Sequence, residues 1–365
     1  MASDITTFAQ NQPSIWAFDF HSNAWLLNVG VEHGAGDGFE VYPQGSPRTV
    51  TEPGENAAIF NNRVDRGRVV ARKKVTGAYT CPWMFAGLQK QIAMWWGTEV
   101  TVIASGGSGY KHTITPAANS ANIGNLAWTD TLVCHDIPCI KMQKTTFRCE
   151  NGELGEVEFE PYGRRELIDG TGANTLATMA NVTLHTQPGI KYVQNSSSIL
   201  TFQMNASTGG SLAASDEYNL VGFELSCERV WRERFDSSGL PYPSEPVCGT
   251  ALKFAGSFKF SLVADETGEV GTDEWLQIVD QTQMKATIDL VGSSIGGSPT
   301  DYWRQKFYLP RIQFDTSGLW QFNTPGSPDL TLPFTCSEES STPTGFSYAY
   351  PYLEITDTRT TNWLS

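Results

Sequence analysis

A six-residue stretch that returns in the second half of the chain constrains the fold more than any other feature. Lys74-Val75-Thr76-Gly77-Ala78-Tyr79 reappears as Lys253-Phe254-Ala255-Gly256-Ser257-Phe258. Each copy runs Lys, large apolar, small, Gly, small, aromatic, an alternation that suits a strand with one packed face. A glycine inside a strand marks a bend or a close backbone neighbour. The sequences that follow the two copies are also alike. After the first, residues 82–96 carry a helix signal and Val100-Thr101-Val102-Ile103 reads as a strand. After the second, a helix signal spans 273–281 and Ala286-Thr287-Ile288-Asp289-Leu290 reads as a strand. The recurring order of strand, helix, strand and Gly-Ser loop predicts a duplicated chain.

A chain of 365 residues is long for one domain and comfortable for two. Gly and Pro are frequent but scattered, which favours many short strands over a helical bundle. The expected fold class is therefore mainly β: two tandem β-sandwich or barrel-like domains, each with one flanking α-helix, related by duplication. Residues 1–170 form the expected first domain with an N-terminal arm, 171–218 a boundary segment, and 219–365 the second domain.

The formal net charge is −14, and most of it lies late. Residues 1–170 hold 14 basic against 18 acidic side chains, and residues 171–365 hold 11 against 21. Affinity for phosphates comes from cations, so this balance argues against an ordinary nucleic-acid binder. The start, Met1-Ala2-Ser3-Asp4, lacks the basic and apolar regions of a secretion signal. No apolar run is long enough to cross a bilayer. Seven irregularly spaced cysteines fit a reducing cytoplasm better than a disulfide framework. The glycosylation patterns at Asn181, Asn195 and Asn205 are discounted on the same reading.

Near the N-terminus, Ile15-Trp16-Ala17-Phe18 and Trp25-Leu26-Leu27-Asn28-Val29 read as short strands. Residues 34–54, punctuated by Pro43, Gly45, Pro53 and Gly54, read as an extended loop or arm that reaches a partner. The glycines at 34, 36 and 38 lack the strand-to-helix setting of a phosphate loop. Arg63, Arg66, Arg68, Arg72, Lys73 and Lys74 make the one basic cluster, read as a solvated face or as a contact for an acidic surface of a sister subunit. Pro82 suits a helix start and Gly97 a stop, with Phe85, Leu88, Ile92, Trp95 and Trp96 as a core stripe. Further strands are expected at 110–116, 128–133, 140–147, 199–204 and 220–226, with a hairpin turn at Asn151-Gly152.

Glu156, Glu158 and Glu160 alternate with Val157 and Phe159. Period two places the three carboxylates on one face and the apolar pair on the other. As catalytic acids they are unconvincing, because nothing on such a strand splits their pKa values. Cys134, His135, Cys139 and Cys149 fit no familiar zinc spacing and read as core residues. His112 and His185 are isolated, and no nucleophile elbow is present. No catalytic, cofactor-binding or metal-binding residue is assigned.

Several of these pieces together resemble a family. The strand over 68–79, the apolar helix ending at Trp96-Gly97, the Gly106-Gly107-Ser108-Gly109 loop, Tyr110-Lys111-His112-Thr113-Ile114-Thr115-Pro116 and the strand over 155–160 are similar to the first domain of two-domain tail tube proteins of long-tailed bacteriophages. Residues 220–226, the second repeat copy and Tyr308-Leu309-Pro310 resemble their second domain. The likeness runs in short pieces from residue 58 to residue 365, and residues 1–57 have no counterpart. It implies a virion protein without catalytic activity or cofactor, made in the host bacterial cytoplasm and placed in the tail. It also implies self-association into trimeric, pseudo-hexameric stacked rings, with the tape-measure protein and DNA in the lumen, other tail proteins at the tube ends, and no membrane.

Physics is compatible with that expectation. Two similar domains per chain join head to tail and three chains close a ring. Sheets that merge around the ring remove exposed edges, and an acidic wall repels DNA over the roughly 8 Å that salt allows. Glu156, Glu158 and Glu160 are candidates for lumen or rim; the loops at 34–54 and 264–271, or the C-terminal tail, are candidates to grip the next ring. The competing reading is a carbohydrate-binding or carbohydrate-cleaving β-sandwich protein, suggested by eleven tryptophans and many carboxylates. A capsid decoration or tail terminator is a third.

Overall fold

Alternating apolar and polar residues need a partner strand on each side and a core beneath, and the described residues meet that need mainly with β-structure. A computed structural model describes residues 14–21, 25, 30–43, 45–55, 68–117, 122–130, 132–150, 152–168, 172–196, 198–235, 241–248, 252–261, 283–297, 300–315 and 329–364. The first half supplies β1 (Trp16–His21), β2 (Ala35–Phe39), β3 (Arg48–Glu55), β4 (Arg68–Thr76), β5 (Tyr79–Pro82), β6 (Gly97–Ala104), β7 (Tyr110–Pro116), β8 (Ile123–Thr129), β9 (Cys134–Glu150), β10 (Glu156–Gly163) and β11 (Leu167–Ile168). Then follow β12 (Thr183–Leu184), β13 (Leu200–Ala206), β14 (Glu217–Tyr218), β15 (Leu220–Glu228), β16 (Trp231–Arg232), β17 (Val247–Cys248), β18 (Lys253–Ser261), β19 (Met284–Gly296), β20 (Asp301–Phe314), β21 (Asp329–Ser337) and β22 (Tyr352–Asp357). Twenty of these strands belong to one hydrogen-bonded network, with β16 and β17 apart.

The longest strand, β9, organises that network. On one edge it pairs with β10 and, further toward its start, with β11. Its other edge is divided. Residues 134–140 pair with β8 of the first half, whereas 144–150 pair with β15 of the second. From β15 the ladder continues through β18 and β21 to β20, which also holds β19 and β22. β22 then pairs with β7, a second strand contact between early and late chain. The segment 171–218 is tied to both sides, because β12 pairs with β2 and β13 with β19.

One apolar core runs beneath these pairings and takes side chains from both halves. Trp83 stands where they meet, with ring centroids 5.0 Å from Phe147, 6.0 Å from Phe223 and 5.9 Å from Phe307. Its indole Nε1 donates to Gln305 Oε1 at 2.9 Å, and Gln305 Nε2 donates back to the carbonyl of Met84 at 3.2 Å. Burial of rings this large contributes the greatest share of the hydrophobic stabilisation per residue.

The helix is shorter than its sequence signal. It spans Gln89–Trp96, not 82–96. Tyr79–Pro82 is instead a strand paired with β10, and Met84 bridges to Tyr192. Long-range strand pairing has overridden local helix propensity there. The stop is as expected: Gly97 adopts φ +104° and its N–H returns to the carbonyl of Ala93. Apart from Lys90 every residue of the helix is buried, so this is a core helix, not an amphipathic surface one. Arg229 closes its C-terminus, with Nη2 donating to the carbonyls of Trp95 and Trp96 at 2.8 and 3.3 Å.

Three further expectations change. Residues 34–54 are not a continuous loop, since they contain β2 and most of β3; Pro53 fits because the β3–β4 register shifts between Glu52 and Pro53. The strand expected over 128–133 ends at Thr129, where Asp130 Oδ1 accepts from the N–H groups of Leu132 and Val133 and turns the chain. The repeat glycines also differ. Gly77 takes φ +131° in the break between β4 and β5, while Gly256 lies inside the unbroken β18, where a Cβ would meet the Glu224 carbonyl oxygen at 1.9 Å. The second expected helix, 273–281, and the loop 264–271 lie outside the described residues.

Candidate functional surface

Five adjacent strands, β10, β9, β15, β18 and β21, form a wall with one dry face and one wet face. Inward point Val157 and Phe159, then Phe147, then Phe223 and Leu225, then Phe258, then Leu332 and Phe334, all buried. Period two sends their neighbours outward. Glu156, Glu158 and Glu160 therefore share the wet face, as the alternation predicts, and all three are only partly buried.

The register shows what lies beside them. Glu156 stands opposite Arg148 and Glu160 opposite Lys144 on β9. On the far side of β9, Glu224 stands opposite Arg148 and Glu228 opposite Lys144. Lys253 of β18 then faces Glu228. Acidic and basic rows thus alternate across the wall. Arg148 is the central link: Nη1 reaches Glu158 Oε2 at 2.8 Å and Nε reaches Glu224 Oε2 at 2.9 Å. Partial burial works against its charge, but the hydrogen bonds it donates to Glu224 and Glu158 outweigh that and raise its pKa. At one end of the wall Arg148, Glu150, Glu153, Glu156, Glu224 and Lys259 line an open depression of 210 Å³. The acidic stripe is therefore not bare. Its partners come from strands that no local pattern links to 156–160, so sequence reading missed Arg148.

The basic cluster is turned toward the late part of the same chain. Lys74 Nζ meets Glu233 Oε1 at 2.6 Å, the Arg72 guanidinium lies 4.8 Å over the Phe235 ring, and the Lys73 N–H donates to the carbonyl of Pro241. Lys74 thus has an acidic partner within its own chain. Arg63, Arg66 and the side chain of Arg68 lie outside the described residues.

Cys134, Cys139 and Cys149 are buried and joined in no disulfide, and burial pushes Cys149 up to about 12. His135 does not join them. Its ring stacks on Trp128 and lies between Glu166 Oε1 at 2.8 Å and Asp130 Oδ2 at 3.1 Å. Burial would lower its pKa, but hydrogen bonds to those carboxylates raise it. Among the described residues, no three His, Cys, Asp or Glu side chains are grouped to hold a metal ion.

His112 is the more tightly held histidine. Fully buried, it meets Glu99 Oε1 at 2.6 Å and Asp357 Oδ1 at 3.1 Å. Asp357 also accepts from Trp363 Nε1 at 3.0 Å, and Glu99 accepts from the Trp363 backbone N–H. The cluster pins the C-terminal segment onto β6 and β7. Burial opposes the imidazolium, yet its hydrogen bonds to Asp357 and Glu99 raise its pKa to about 9. His185 is half-buried; its ring Nδ1 meets the carbonyl of Thr186 at 3.0 Å, and the ring lies 6.4 Å from Trp363.

Nine of the tryptophans are described, and all nine are buried, so none of them forms an aromatic platform. No protein-family model matches the chain, and no curated protein matches it.

Proposed function

We propose that this chain is a structural virion protein, the major tail tube subunit of a long-tailed bacteriophage, which self-assembles into stacked rings around a DNA conduit. The observation that carries the reading is the pairing of β15 with β9. It continues a sheet from the early half of the chain into the late half, edge to edge, over seven registered residue pairs. A wall extended in this way, dry on one face and charged on the other, is the unit that a closed ring requires.

The charges on the wet face favour a conduit over a nucleic-acid binding surface. The basic row of β9 is flanked by glutamates on both sides, as Arg148 is by Glu158 and Glu224, so that row does not stand open to a phosphate backbone. On this reading three chains close a pseudo-hexameric ring, and the tape-measure protein and DNA occupy the lumen without sequence-specific contacts. Other tail proteins meet the tube ends, and the subunit is made in the bacterial cytoplasm. The carbohydrate reading keeps its carboxylates but loses its tryptophan platform among the described residues.

Negative-stain microscopy of the purified full chain at increasing concentration tests the proposal. Tubes or stacked rings with a regular axial repeat are expected. A monodisperse monomer at all concentrations that binds a glycan would overturn it.

A further inference from the structure

Lys285 is a lysine with no access to solvent, a rare placement for an ammonium group. It is the second residue of β19 and stands directly opposite Asn205 in the antiparallel β13–β19 pair, where facing side chains stand roughly 5 Å apart at Cβ. Its Nζ donates to the carbonyls of Gly210 at 2.7 Å, Gly209 at 2.9 Å and Thr344 at 3.1 Å. Asn205 Nδ2 turns to the same Gly210 oxygen, at 3.4 Å, so amine and amide converge on one atom. Asn205 Nδ2 also donates to Asp216 Oδ2 at 3.2 Å, while Asn205 Oδ1 is buried with no partner.

A buried amine, an amide with an unpartnered carbonyl oxygen and a carboxylate on that amide's nitrogen make up the parts of an acyl transfer. We propose that Lys285 and Asn205 form a covalent cross-strand isopeptide bond, with Asp216 as the proton carrier. The inference stands apart from the tail-tube reading and holds whichever function the chain serves.

The chemistry balances without any co-reactant. The Lys285 ammonium gives one proton to the Asp216 carboxylate and becomes a neutral nucleophile. Burial favours that neutral form by lowering the pKa of Lys285, against the opposing pull of Asp216. Nζ then attacks Asn205 Cγ, and the new N–C bond forms as the Cγ–Nδ2 bond breaks. Asp216 delivers its proton to the departing Nδ2 and takes another from Nζ. Ammonia leaves and carries away the last proton as ammonium, which returns Asp216 to the carboxylate. The group transferred is the Asn205 acyl group, and no electron changes hands.

Intact-mass spectrometry of the denatured full chain reads the bond directly. The wild-type protein is expected to weigh one ammonia less than its sequence, and proteolysis is expected to yield a branched peptide joining β13 to β19. Lys285→Arg, which keeps the charge, and Asn205→Ala are expected to restore the full mass. Asp216→Asn is expected to slow the loss of ammonia about a hundredfold or more. A folded wild-type protein that keeps its full mass through prolonged incubation overturns the proposal. A deficit that persists in Lys285→Arg also overturns it, since Asn205 would then have closed on its own backbone.

Discussion

The indole of Trp83 donates to the side-chain oxygen of Gln305 at 2.9 Å, across 222 residues of sequence and with both side chains buried. This bond ties the early half of the chain to the late half inside their common core. Trp83→Phe removes the donor and leaves the Gln305 oxygen dry and unmatched, at a cost of roughly 1–3 kcal/mol. Urea unfolding followed by probes in each half is expected to show one earlier transition that shifts as a unit. Two separated transitions would refute that coupling.

Neighbouring residues on β9 are predicted to behave oppositely. Phe147→Ala empties a site in the core and is expected to cost roughly 3–5 kcal/mol. Arg148→Ala breaks two ion pairs whose members are a third or more exposed, so it is expected to cost less than about 1 kcal/mol and to be blunted by salt. Chemical denaturation of both variants at low and high salt checks the contrast.

The two repeat glycines are expected to respond unequally in cause. Gly256→Ala drives a methyl group into the Glu224 carbonyl oxygen and must part β18 from β15, at or above the upper end of the roughly 1–3 kcal/mol typical of overpacking. Gly77→Ala forces a side chain to accept φ +131°, a conformational strain of roughly 1–3 kcal/mol. Thermal melts read the losses. Hydrogen exchange is expected to rise along β15 and β18 in the first variant and at the β4–β5 junction in the second.

Two histidines are expected to give stability a maximum in pH. His112 has a folded pKa of about 9, above its model-peptide value of 6.5. Its contribution is complete below pH 6.5 and is lost as pH rises through 9. His33 is the reverse case: burial lowers it to about 4, so its contribution is present above pH 6.5 and is lost as pH falls toward 4. Each shift corresponds to an effect on the order of 3 kcal/mol. His112→Gln is expected to flatten the alkaline limb, and His33→Phe the acid limb, in melts taken from pH 4 to 9.

What could be read from the sequence was governed by distance along the chain. The sidedness of 156–160 was legible because period two is local, and so was the glycine stop of the helix at Gly97. The false helix start at Pro82 arose because Tyr79–Pro82 is claimed by β10, about eighty residues away. β2 and β3 were hidden by the glycines and prolines that edge and bulged strands tolerate. Arg148 was illegible as a bridge because its two carboxylates arrive on separate strands, and only register brings them together. The closeness of Lys285 to Asn205 was hidden for the same reason.

A strand that divides one edge between two neighbours has a mechanical meaning. β9 is bonded along that edge first to β8 and then to β15, so a tug on either flank loads the same backbone. Neither flank can slide without shearing hydrogen bonds along the shared spine, which makes the two flanks stiffen one another as planks do when nailed to a common beam.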